Sequence, residues 1–161
     1  PTDTGLEGGN NSTVLYGEIL VPGRIHHSPE EYFGCDVYSA CVRAYNKQGK
    51  ELFCEKFVIE PKKQDLQQLG MLQGFEIYGN VILLTPKEHA DAIFEQMDAK
   101  FSVKDQVASG VSRLPNDAGL IFKVLGKEVK PVRERIHEFW RVVRKVVKGA
   151  ELPDPFLWRP Y

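Results

Sequence analysis

Residues 35–61, CDVYSACVRAYNKQGKELFCEKFVIEP, decide the fold class. Two runs rich in β-branched and aromatic residues, 35–45 and 51–60, flank a short polar turn at Asn46 to Gly49. Pro61 closes the second run. This pattern predicts two strands joined as a β-hairpin. Working outward, TVLYGEILV (13–21) predicts a strand stopped by Pro22-Gly23. FEIYGNVILLT (75–85) predicts another, interrupted at Gly79, where a bulge or a close backbone approach is the usual cause. SGVSRL (109–114) and GLIFKVLG (119–126) flank Pro115-Asn116-Asp117-Ala118-Gly119, a second hairpin.

Two helices follow from other signals. Thr85, Pro86 and Glu88 make a T-x-x-E capping box, with Ala90, Ile93, Phe94 and Met97 on one face beyond it. From Pro131, Val132, Ile136, Phe139, Trp140, Val143 and Val147 recur at helical spacing, with Gly149 as the stop. That spacing places Trp140 in the core. Strands do not alternate with helices, so a Rossmann-type sheet is disfavoured. The expected class is mainly β (α+β), with two α-helices toward the C-terminus.

Residues 1–12, PTDTGLEGGNNS, lack periodicity and are expected as a loop or disordered lead to one β-rich domain over 13–161. HHSPEEYFG (26–34) is expected as a loop and 62–74 as irregular. The tail ELPDPFLWRPY, with three prolines, is expected as an extended strap.

Twenty-one basic residues against 22 acidic leave no bulk charge to steer the chain to nucleic acid or a membrane. No apolar run approaches the ~18 residues of a spanning helix, and no signal segment opens the chain. Three cysteines, Cys35, Cys41 and Cys54, form an odd set without CxxC. A disulfide framework is disfavoured, and a cytoplasmic location is the expectation.

Glu18 is the anomaly. Alternation puts it on one strand face with Val14, Tyr16 and Leu20, and puts Glu55 with Phe53, Phe57 and Ile59. An unpaired carboxylate in apolar surroundings costs several kcal/mol or shifts its pKa upward. A partner cation, a hydrogen-bond network or a wet interior must offset that. Arg24 and Arg43 are near enough in sequence to be structural partners. A functional carboxylate pair is the other reading.

The remaining candidates each have a plain structural explanation. His26-His27 lacks the companion ligands of a closed metal site. Cys35-Asp36 has no histidine at a recognisable spacing, and a buried structural thiol is expected. His89 and His137 have no partner in sequence. Segment 127–148 carries eight Lys/Arg and three Glu, which suits either a solvated face or an acidic partner. Arg24, Arg141, Arg144 and Trp158 are candidate partner or structural contacts. The 115–119 turn matches neither GxGxxG nor GKT/S. The residues alone do not support an enzyme.

The order of motifs adds a resemblance. LYGEILVPGR (15–24), VRAYNKQGKELFCEKFVIEP (42–61), GMLQGFEIYGNVILLT (70–85), SRLPNDAGLIFKVLG (112–126) and the helix bearing Phe139-Trp140 and Arg144 resemble the C-terminal part of the UreD/UreH family of urease accessory proteins. Glu18, Gly23 and Arg24 match one motif, and Gly49, Leu52 and Glu55 another. The resemblance implies a cytosolic, non-enzymatic scaffold and metallochaperone that binds apo-urease, UreF and the nickel-carrying GTPase UreG. It implies strands wound in a helical, β-solenoid-like arrangement, with this chain as part of a larger domain. It also implies nickel in transit through an internal acidic path, matched by Glu18 and Glu55, with no tightly bound cofactor. Two other readings stay open: a glycosidase-like enzyme using Glu18 and Glu55 as an acid/base pair, and a protein-binding module using the basic helix 131–148.

Overall fold

A computed structural model describes residues 2–9, 11–23, 33–63, 65–66, 72 and 74–151. Arg24, the His26-His27 doublet, Trp158 and the tail beyond Glu151 lie outside the described residues. The elements run β1 (Thr2–Glu7), β2 (Val14–Leu20), β3 (Tyr38–Tyr45), β4 (Glu51–Ile59), β5 (Ile77–Leu84), α1 (Lys87–Gln96), β6 (Lys100–Ser102), β7 (Val107–Arg113), β8 (Gly119–Gly126) and α2 (Val129–Lys148). They form three layers. One sheet has the order β1-β3-β4, the second has the order β2-β5-β8-β7-β6, and both helices pack on the second sheet's far face.

The β3–β4 hairpin forms as the sequence predicts, antiparallel with Tyr38 opposite Ile59. Asn46 fixes its turn: its side-chain oxygen accepts hydrogen bonds from the backbone of Gln48 at 3.0 Å and Lys50 at 2.9 Å. Ala40, Val42 and Ala44 of β3, with Phe53 and Ile59 of β4, turn inward. Cys41, Arg43 and Cys54 alternate outward.

β5 is buried at all eight positions because it is covered on both faces. Its even-numbered residues meet the first sheet, and its odd-numbered ones meet the helices. Gly79 is explained by close approach. A Cβ there would lie 3.0 Å from Ile136 Cδ1 and 3.1 Å from Val132 Cγ1, so glycine lets α2 settle onto the strand. Phe122 and Phe139 stack beneath that helix with centroids 4.7 Å apart. Gly149 ends α2 in the left-handed conformation, φ 61°, as its position predicts.

Several expectations need correction. Residues 2–7, expected within a loop or disordered lead, form β1, parallel to β3. Its stability is not local: β3 offers the edge that β4 leaves free, and Leu6 packs into the inter-sheet core. The capping box does not form. Pro86 occupies the cap without a side-chain bond, and Thr85 Oγ1 instead shares a hydrogen bond with Thr13 Oγ1 at 2.8 Å. Trp140 is 42 % exposed. The buried stripe of α2 is Val132, Arg135, Phe139 and Val143, and Trp140 is turned roughly 100° from Phe139 by the helical repeat. Among the described residues, β1–β3 is parallel and the other strand pairs are antiparallel, in two sheets.

Candidate functional site

The two sheets meet through two apolar clusters with a polar layer between them. Toward one end lie Val42, Phe53, Ile82 and Leu84, with Tyr16 and Ile121 against them. Toward the other lie Ile59 and Tyr78, with Leu20, Phe57 and Leu125. Each of four strands runs from one cluster to the other and carries one polar residue midway. On β2 it is Glu18, on β5 Asn80, on β8 Lys123 and on β4 Glu55. The register aligns three of them in a row, with Glu18 opposite Asn80 and Asn80 opposite Lys123. Glu55 closes over the row from the other sheet.

Asn80 is the centre. It is 2 % exposed. Its Nδ2 donates to Glu55 Oε2 at 2.9 Å and, more weakly, to Glu18 Oε1 at 3.4 Å. Lys123 Nζ pairs with Glu55 Oε1 at 2.5 Å. Tyr16 OH donates to Glu18 Oε2 at 3.4 Å. Among the described residues, Glu18 has no cation at ion-pairing distance. Asn80 Oδ1 and Tyr78 OH are buried without a hydrogen-bond partner there.

The charges leave their mark on neighbours. Burial alone would lower the Lys123 pKa, but the hydrogen bond it donates to Glu55 and the adjacent Tyr78 outweigh it, and the ammonium is held above its ordinary value. Burial raises the Tyr78 phenol. Burial, then the nearby Glu18 and Tyr16, raise that of Tyr38.

The layer settles which residues pair. Glu55 has a structural cation, but it is Lys123 rather than Arg43. Arg43 sits on the outer face of β3, with its Nε directed at Cys41 Sγ, 3.4 Å away. Glu18 and Glu55, far apart in sequence, do come together, through a shared amide. Chemically the layer offers two carboxylates, oxygen donors of the kind that suit divalent cations, with the Asn80 Nδ2 turned toward both. Among the described residues no group of three or more His, Cys, Asp or Glu is gathered as a metal cage.

Sequence reasoning missed Asn80, Lys123 and Tyr16. The first two were visible as polar interruptions in the apolar runs IYGNVILL and LIFKVLG.

Arg141 and Arg144 are not part of this layer. They lie on α2, across the second sheet. Arg144 Nε donates to the Glu151 carbonyl at 3.2 Å. Arg141 lines a groove of about 420 Å³ with Val129, Lys130, Arg133, Glu134 and His137. Arg135, counted among the surface charges of the basic segment, is buried. Its Nε donates to Ser109 Oγ at 2.7 Å and its Nη2 to the Asp98 carbonyl at 2.8 Å, so it ties α2 to β7 and to the chain after α1. Cys35, expected as a buried thiol, is exposed.

Fold and site together define an α+β protein that holds a carboxylate pair, an amide and an ammonium between two sheets. The family model described as "UreD urease accessory protein" matches residues 2–159. "Urease accessory protein UreD" of Yersinia pseudotuberculosis (strain IP 31758) is 49% identical over 158 residues, covering 98% of this chain and 49% of the relative. The protein of that name from Photorhabdus laumondii is 46% identical over 158 residues, with 98% and 49% covered. "Urease accessory protein UreD 2" of Brucella suis biovar 1 is 46% identical over 147 residues, with 91% and 49% covered. The chain belongs to the UreD family, whose name is that of an accessory protein and not of an enzyme. It spans about half the length of the curated relatives it matches.

Proposed function

We propose that this chain is the part of a urease accessory protein that helps pass nickel to apo-urease, with Glu18 and Glu55 as transient oxygen ligands. The observation that carries this reading is the convergence of both carboxylates on Asn80, whose buried Oδ1 has no partner among the described residues. A resident metal needs a closed cage of ligands. A passing ion needs a few that attract it without trapping it. Lys123 fits such a role as a placeholder: its ammonium balances Glu55 while no ion is present and moves aside when a divalent cation arrives. Nickel is cargo here, and no resident cofactor is needed.

In this reading the accessory protein works as a cytoplasmic scaffold, joining apo-urease to UreF and UreG. Family membership supports that role, and no helix of the described residues is long and apolar enough to cross a membrane. The exposed basic face of α2, with Arg141, supports a contact with an acidic protein partner, and Trp158 and Arg24 are proposed as further contacts. Partner binding through that face weakens steeply between low and high salt. Binding indifferent to salt contradicts it.

The test uses the full-length protein carrying Glu18→Gln and Glu55→Gln together. Removing both charges is expected to slow nickel loading of urease on the order of tenfold, equivalent to ~1.4 kcal/mol on the transit barrier, while the accessory complex still assembles. Loading at the normal rate by the double variant contradicts the proposal. The glycosidase-like alternative gains nothing here, because the family is one of accessory proteins.

A further inference from the structure

Cys41 and Cys54 carry an observation that the nickel reading does not use. They lie on the outer face of the first sheet, opposite the acidic layer. In the register, Cys41 faces Lys56 and Arg43 faces Cys54, so the two cysteines are diagonal neighbours across the β3–β4 ladder. Their sulfurs are 3.5 Å apart and not bonded to each other. Cys54 is exposed and Cys41 half-buried. Arg43 lies between them in the pattern, with its Nε–H aimed at Cys41 Sγ from 3.4 Å. Cys35, the third thiol, lies outside the hairpin strands.

We infer that Cys41 and Cys54 form a redox-reactive dithiol, a site of reversible cross-strand disulfide formation by exchange with a low-molecular-weight disulfide. Two thiols this close, reachable from solvent and beside a fixed positive charge, meet the requirements for exchange. The Cys41 sulfur, having lost its proton to solvent, attacks one sulfur of the small disulfide. That S–S bond breaks, and the departing thiolate takes up a proton. Cys54 then loses its proton and attacks the Cys41 sulfur of the mixed disulfide. The Cys41–Cys54 bond forms and the second small thiol leaves. Two electrons pass from the protein dithiol to the small disulfide, which becomes two thiols.

The roles follow from position. Arg43 stands beside Cys41, where it offsets the negative charge of the attacking sulfur. The hydrogen bond with Cys41 pushes the Cys54 thiol up, which suits a resolving cysteine that stays protonated until needed. A diagonal pair on an antiparallel ladder is also wider than a directly opposed one. Closing it draws the strands together, so the bond is one that a reducing thiol pool reverses. The inference does not depend on nickel transit.

The test places the full-length protein in a series of glutathione buffers from reduced to oxidised, traps free thiols by alkylation, and maps the peptides by mass spectrometry. The expected result is a Cys41–Cys54 cross-linked peptide pair that grows with the oxidised fraction and disappears on reduction. Cys35 is expected to give only a glutathione adduct. Cys54→Ser is expected to lose the cross-link and accumulate the adduct on Cys41. Arg43→Gln is expected to slow cross-linking several-fold. Separate adducts on both cysteines of the unmodified sequence, or two thiols that stay alkylatable in the most oxidised buffer, would overturn the inference.

Discussion

Asn80 carries more of the account than either glutamate. It is the only one of the four polar residues in its layer that the two sheets bury completely, and it donates to both carboxylates. Asn80→Leu leaves Glu18 and Glu55 facing each other without a shared donor. A loss of about 2–4 kcal/mol is expected in urea unfolding, since hydrogen bonds to charged groups contribute roughly 1.5–3 kcal/mol each. Unchanged stability would mean that the amide plays no part in holding the layer. Lys123→Gln separates the structural reading of the ion pair from the transit reading. If Lys123 only balances Glu55, the variant is less stable and gains no affinity for metal. If it is a placeholder, the variant binds nickel more tightly in calorimetry, because no ammonium competes. Alkaline pH tests the same layer. Lys123 is held protonated in the fold, and the phenols of Tyr78 and Tyr38 are held neutral, all above their ordinary values of 10.5 and 10.0. The unfolded chain therefore gives up these protons first. The contribution of these three groups is fully present below about pH 10 and is lost as pH rises past it, where the folded state holds protons that the unfolded chain releases. A stability curve flat to the alkaline limit would contradict these directions. Glu18 and Glu55 were legible in the sequence because alternation exposes a carboxylate on an apolar face. Their partners were not, because the contacts to Asn80 span 62 and 25 residues and that to Lys123 spans 68.

At the scale of elements, what is local was legible and what is borrowed was not. The β3–β4 hairpin, β7 and β8, and α2 with its glycine stop carry their own turn chemistry and periodicity. β1 carries neither, because its strand state is set by the free edge of β3. The helix-start signal at Thr85 was overridden by a hydroxyl partner 72 residues away, Thr13. The face of α2 was misjudged by one residue, because Arg135 takes an inward position that hydrophobicity cannot mark. This gives a direct comparison. Phe139→Ala, at full burial and stacked on Phe122, is expected to cost about 3–5 kcal/mol. Trp140→Ala is expected to cost a small fraction of that. Equal losses in parallel melts would show that the helix is turned the other way. Arg135→Ala removes the ties to Ser109 and Asp98 and leaves those groups unpaired. A loss of about 1–3 kcal/mol is expected, smaller than that of Phe139→Ala, because the partners left behind are neutral and partly open to water.

At the scale of the whole molecule, the second sheet divides two surfaces of different chemistry. On one side the first sheet packs over it, with the acidic layer between them buried at Asn80 and open to solvent at Lys123. On the other the helices cover it and present basic residues. A cargo path and a protein contact can therefore occupy one chain without overlapping. The middle sheet can do this because β5 is apolar on both faces except at Asn80, where the polar layer crosses it. The family assignment stands on the whole chain, while the transit proposal stands on that one layer. The measurement that tests it most directly is nickel transfer to apo-urease by the full-length protein, with and without Glu18→Gln and Glu55→Gln, alongside a check that the accessory complex forms. The account predicts an intact complex that loads urease about tenfold more slowly. An intact complex that loads urease at the unaltered rate would contradict it.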